Sequence, residues 1–176
     1  NTPEWLTPEA LDTYDAVQLF AHSAQRVQPD FEVEANNAET IIKICQRVQG
    51  MPLGIELAAA WVEVLPVDDI FTEIENILDF LETDLRDMPE RHRSIRAVFD
   101  YSWQLLTDAE REAFRWLSVF RGGFTREAAR QVANADLRSL SNLVNKSLLR
   151  RLPSGRYEVH ELLRQYAEES LCATPE

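Results

Sequence analysis

Apolar residues recur at three- and four-residue steps along almost all of this 176-residue chain, and alternate in only one place. That pattern commits most of the backbone to amphipathic helices and leaves one short stretch for extended chain. Val17, Phe20, Ala24 and Val27 predict a helix from Tyr14, ended by Pro29 and Asp30. Asn37 is placed to cap a second helix, which buries Ile41, Ile44, Cys45 and Val48 and stops at Gly50. Pro52 suits the first turn of a third, with Leu53, Leu57, Ala60 and Trp61 inward. Asp68 and Asp69 open a fourth, carrying Ile70, Phe71, Ile74, Ile77, Leu78 and Leu81. Residues 14–88 thus read as an all-helical unit of four helices. A lead-in over 1–13, marked by Pro3 and Pro8, precedes it.

Residues 89–172 have a different pattern. A helix from about Ser94 carries Ile95, Val98, Phe99, Trp103 and Leu106. Thr107 and Glu110 form a capping box for the next, which buries Ala113, Phe114, Leu117 and either Val119 or Phe120. Gly122 and Gly123 break the chain. Thr125 caps a short helix through Val132, and Asp136 caps another through Val144. Leu148, Arg150 and Leu152 then alternate, Pro153-Ser154-Gly155 turns, and Tyr157 and Val159 alternate, which predicts a β-hairpin. A closing helix turns Leu162, Leu163, Tyr166, Ala167 and Leu171 inward, ahead of a tail at 173–176. The fold class is therefore mainly α: a four-helix domain, then a winged-helix domain with a small hairpin wing.

Charge divides the chain at the same place. Residues 1–89 hold 18 acids and 4 bases, whereas residues 90–176 hold 12 acids and 14 bases. The split sets the expected joint near Pro89, between Arg86 and Arg91. An overall charge of −12 argues against nucleic acid or a membrane surface as a partner. No apolar run approaches the length of a membrane span and no signal-peptide pattern is present, so a soluble, cytoplasmic chain or a fragment of a larger protein is expected. There are only five glycines, and none falls into a phosphate-cradling spacing. Cys45 and Cys172 sit at helical apolar positions and are expected to be buried free thiols. His22, His92 and His160 have no partner at metal-ligand spacing, and no serine has the context of a nucleophile. No catalytic and no metal-binding residue is therefore assigned.

Two stretches stand apart. In Gly50-Met51-Pro52-Leu53-Gly54, followed by a run of small residues, a glycine stop and a proline start let another body come close. In Val159-His160-Glu161, a histidine falls where the second wing strand enters the closing helix. There it can donate to an anion beside free backbone N–H groups.

Seven segments occur in an order that resembles the STAND signal-transduction ATPases with an NB-ARC-type core, in particular their bacterial regulators. They are Asp15–Phe20, Ile44-Cys45, Pro52–Ala60, Arg91–Arg93, Leu117–Thr125, Asn145–Arg150 and His160-Glu161, and the resemblance spans roughly residues 14–171. It implies the helical and winged-helix lid of a nucleotide-dependent switch. ADP or ATP, with magnesium, would be held by a P-loop domain of the same polypeptide lying outside these residues. The resemblance places Pro52 beside the adenine, within the turn formed with Gly50 and Leu53, and His160 at the β-phosphate. It also implies C-terminal sensor repeats and assembly into a homo-oligomer on activation. The chain differs from the family pattern at Met51, Val159 and Glu161. Without the P-loop domain, this segment alone is expected neither to hold nucleotide tightly nor to hydrolyse it.

The alternative reading is a winged-helix DNA-binding transcriptional regulator. Its reading helix, Asp136 to Asn145, offers Arg138, with Ser139, Ser141 and Asn142 as weaker candidates, and Arg150, Arg151 and Arg156 lie on the wing. The acidic balance of the first unit opposes this reading, so DNA is not expected as a partner. Whether Arg91, Arg93 and Arg96 sense phosphate, form an interface or only solvate a helix surface is left open by the sequence.

Overall fold

The computed structural model describes residues 15–84 and 87–173. The expected lead-in at 1–13, the helix start at Tyr14, the linker residue Arg86, the Leu81 side chain and the end of the tail lie outside the described residues. Among the described residues there are nine α-helices and one two-stranded antiparallel sheet, in the order all-helical unit, helices, hairpin, closing helix. The chain forms two compact units that divide between Ser102 and Trp103.

The first unit opens with α1 (Asp15–Val27), which buries Val17, Phe20, Ser23 and Ala24. Helix α2 (Ala38–Arg47) buries Ile41, Ile44 and Cys45. Asn37 does not cap α2 with its side chain, contrary to expectation. Its Oδ1 accepts from the Glu34 N–H at 2.9 Å and its Nδ2 donates to the Glu32 carbonyl at 3.0 Å, so it closes the preceding turn instead. An Asx side chain can serve either end of such a turn, and here the backbone ahead of it competes successfully.

Gln49 and Gly50 both take positive φ, 56° and 63°, and the Gly50 N–H donates to the Cys45 carbonyl at 2.8 Å. This left-handed ending reverses the chain into α3 (Pro52–Ala59), with Pro52 in its first turn. A 3₁₀ turn follows, Ala60–Glu63. Helix α3 is apolar nearly all round and buries Gly54, Ile55, Leu57, Ala58 and Ala59. Helix α4 (Val67–Asp84) carries Asp68 and Asp69 in its first turn and buries Ile70 and Ile74.

Helix α5 (Glu90–Gln104) begins a turn earlier than the apolar spacing indicated. Its body belongs to the first unit. Trp61 Nε1 donates to Ser102 Oγ at 2.8 Å in a buried contact, and the Trp61 ring lies 4.5 Å from that of Tyr101. The sequence set the joint at Pro89; the packing divides the units within α5.

In the second unit α6 (Asp108–Leu117) has both bonds of the expected capping box. Glu110 N–H donates to Thr107 Oγ1 at 3.2 Å and Thr107 N–H to Glu110 Oε2 at 2.9 Å. Helix α7 (Arg126–Ala133) is capped by Thr125 and α8 (Leu137–Asn145) by Asp136, both as expected. The strands β1 (Arg150–Arg151) and β2 (Tyr157–Glu158) pair with Arg150 opposite Glu158 and Arg151 opposite Tyr157. Phe124 adds a third rung, exchanging two 2.8 Å hydrogen bonds with Tyr157. The periodicity of residues 117–125 held no sign of this pairing. Helix α9 (Glu161–Cys172) closes the unit, burying Leu163, Tyr166 and Ala167 together with a charged residue, Arg164. The unit is a helical domain with a hairpin wing followed by a closing helix, as the alternation at 148–159 indicated.

The cysteines divide. Cys45 is buried, its Sγ 3.6 Å from the Ala16 carbonyl, and burial pushes the thiol pKa up to about 12. Cys172 is exposed, which corrects the expectation of two buried thiols: α9 turns it to solvent near its end.

Candidate functional site

His160 stands at the N-cap of α9 and is exposed. Its Nδ1 accepts from the Leu162 N–H at 3.2 Å, which makes the ring its own helix cap. A ring nitrogen that accepts carries no proton, so the other nitrogen, Nε2, holds the N–H and remains outward as the donor. The location at a helix start is as expected; the self-capping geometry was not legible in the sequence.

Gly50, Pro52 and Leu53 lie in the first unit, at the reversal between α2 and α3. Gly50 and Pro52 are exposed and Leu53 is half-buried. The close approach expected beside this turn is made by the chain itself: a Cβ on Gly54 would lie 3.0 Å from Val48 Cβ. This region is therefore a tight helix-to-helix reversal with an exposed rim. In α5, Arg96 pairs with Asp100 at 3.0 Å, Arg91 is exposed, and Arg93 has a buried Nε without a hydrogen-bond partner.

A cleft in the second unit was only partly foreseen. It has a volume of about 710 Å³ and runs between the start of α7, the outward face of α8 and the hairpin. Arg126, Arg151 and Arg156 line it, with Ser141 and Asn145 from α8 and the exposed Leu137 on its wall. Arg151, Arg156 and Ser141 were candidates from the sequence. Arg126 was not, because only folding brings α7 beside the wing. Asn142, another candidate, is committed elsewhere: its Nδ2 donates to Glu110 Oε1 at 3.2 Å.

Glu110 is the centre of a buried polar cluster. Besides Asn142 and the Thr107 N–H, its carboxylate takes Lys146 Nζ at 2.9 Å. Burial works to raise its pKa, but the bonds from Lys146, Thr107 and Asn142 outweigh it and hold the carboxyl below its usual range. The cluster joins the start of α6 to the end of α8 and so sets the pose of the cleft-facing helix.

Among the described residues no group of histidine, cysteine and carboxylate side chains could hold a metal ion, and no helix is long and apolar enough to cross a membrane.

In sequence the chain is similar to the "Putative HTH-type transcriptional regulator Rv0890c" of Mycobacterium tuberculosis, with 37% identity over 177 residues. The same identity holds for the "Putative HTH-type transcriptional regulator Mb0914c" of Mycobacterium bovis. It is 32% identical over 184 residues to the "Uncharacterized protein Rv0894" of Mycobacterium tuberculosis. These matches take in 95% to 98% of the chain, but the chain spans only 20% of the length of the first two relatives and 47% of the third. No protein-family model and no solved structure matches the chain.

Proposed function

We propose that this chain is a regulatory segment of a larger transcriptional regulator. The observation that carries the reading is the 37% identity across 95% of the chain to a protein named as an HTH-type transcriptional regulator about five times its length. That name supports the regulator reading over a free-standing enzyme, and weighs against the expectation that DNA is no partner of the whole protein.

Within such a regulator the segment acts as a lid over nucleotide. This finer reading rests on the resemblance of the seven ordered segments to the STAND ATPases. The exposed donor at His160 Nε2 is consistent with it, as is the exposed rim at Gly50 and Pro52. A P-loop neighbour would hold ADP or ATP with its magnesium, Pro52 would pack beside the adenine, and His160 would bond a phosphate oxygen. Sensor repeats and assembly on activation would belong to the rest of the polypeptide.

The test is the longer polypeptide carrying this segment, purified and assayed for bound nucleotide. Co-purified ADP, released faster from the His160→Ala variant, supports the lid. A full-length protein that binds its promoter but neither ADP nor ATP would leave the regulator and sink the lid.

A further inference from the structure

We infer that the cleft between α8 and the hairpin is a docking surface for duplex DNA, held chiefly through its phosphates. The choice of duplex among polyanions rests on the regulator reading above; the cleft and its charge do not.

Three elements separated in sequence each send an arginine to this cleft: Arg126 from the start of α7, Arg151 from β1, and Arg156 from the end of the turn before β2. Their surroundings are strongly cationic. Residues 121–160 hold eight bases and three acids, although the chain as a whole carries −12. One of the three acids is committed to a helix cap. Asp136 caps α8 by accepting from the Ser139 N–H at 2.7 Å, and Glu158 stands opposite Arg150 only in the backbone register of the sheet. Glu127 lies 4.0 Å from Arg126, at the limit of an ion pair. Arg130, Arg138, Arg150 and Arg151 are exposed and make no ion pair among the described residues. Charge that is spread over several elements suits an extended polyanion, whose phosphates recur along its length, more than one compact anion. Helix α8 adds exposed Ser141 and Asn145, which can hydrogen-bond base edges, and Leu137, 53% exposed, which can meet a thymine methyl. With so few base-reading groups, binding is expected to be mostly sequence-independent.

The test is titration of the 176-residue chain against a fluorescein-labelled duplex two helical turns long, over a range of salt concentrations. Three phosphate contacts predict a log–log salt slope of about −2.7. Replacing Arg126, Arg151 and Arg156 together by alanine is expected to weaken binding at least tenfold at low salt and flatten that slope. Arg121→Ala, outside the cleft and paired with Glu168 at 3.3 Å, is expected to leave both within about twofold. Circular dichroism checks the fold. If the triple variant loses its helical signal, Arg151→Gln on the exposed strand carries the test, with about a threefold loss expected for one contact. No duplex binding at low salt overturns the proposal, as does binding that folded cleft variants leave unchanged. Cleft-dependent capture of a labelled polyglutamate peptide in place of duplex also overturns it, in favour of an acidic protein segment. None of these outcomes bears on ADP retention, so this site and the lid can fail separately.

Discussion

Arg164 Nη1 donates to the backbone carbonyl of Ser118 at 3.2 Å, in a buried contact that ties the closing helix to the residue just past α6. The same guanidinium bonds Glu161 through Nε and Nη2, each at 2.9 Å, and Glu168 through Nη1 at 2.9 Å. Its side chain is 4% exposed, whereas both carboxylates reach solvent. A buried arginine is tolerated here because every face of its planar fork has an acceptor.

Arg164→Met is therefore expected to destabilise the second unit by about 2–3 kcal/mol, through the orphaned Ser118 carbonyl and the lost bidentate pair. For a unit of this size that corresponds to a melting point lower by roughly 10–20 °C. Thermal melts followed by circular dichroism check it; a shift below about 2 °C would mean that the pair is compensated by solvent.

Acidification should weaken the second unit. The hydrogen bond from Arg164, then that from Gln165, lowers the Glu161 pKa to about 2, and the bonds to Glu110 lower its pKa also. A carboxyl with a depressed native pKa stabilises fully above its unfolded value of about 4.3, and that contribution is lost as pH falls toward the native value. The loss should thus develop below about pH 4.3 and continue toward about pH 2. Glu110→Gln should be less stable than wild type at pH 7, and the gap should narrow across this window. Parallel melting curves at every pH would defeat the prediction.

Ser102→Ala leaves the buried indole N–H of Trp61 without its 2.8 Å partner. The expected cost to the first unit is about 1–2 kcal/mol. Urea unfolding monitored by tryptophan fluorescence reads it, with a lower midpoint and an unchanged slope. An unchanged midpoint would show that the indole finds another acceptor.

The Nδ1 of His160 is occupied in capping α9, which leaves Nε2 as the nitrogen that can donate to a ligand. A hydrogen bond to an ionised phosphate oxygen is worth about 1.5–3 kcal/mol, so His160→Ala in the full-length protein should speed ADP release roughly ten- to hundredfold. His160→Asn separates the roles, because asparagine still caps a helix but lacks the reach of Nε2. Equal off-rates for wild type and the asparagine variant would confine His160 to capping.

Much of the fold was legible because it follows from local rules. Thr107, Thr125 and Asp136 cap their helices because a short oxygen side chain satisfies an N–H three residues on, whatever lies around it. Val17, Phe20, Ile41, Ile44 and Trp61 are buried because a helix must turn its apolar stripe inward. The hairpin followed from alternation and a glycine turn, and Gly155 indeed takes a φ of 80°.

Tertiary structure decided what depends on partners distant in sequence. Phe124 joined the sheet through its backbone bonds to Tyr157, a partner that only folding brings beside it. Asn37 left α2 uncapped because Glu32 and Glu34 offered it closer partners. The body of α5 belongs to the first unit, where Ser102 supplies the acceptor for buried Trp61. Arg164 became a core residue because Ser118 supplied a carbonyl from 46 positions away. The candidate site divides the same way. His160 and Pro52 stand out in sequence by their place at helix starts, but the cleft of Arg126, Arg151 and Arg156 does not. Helical and strand periods specify which face of an element is apolar, whereas convergence of charges from three elements exists only once the elements are packed.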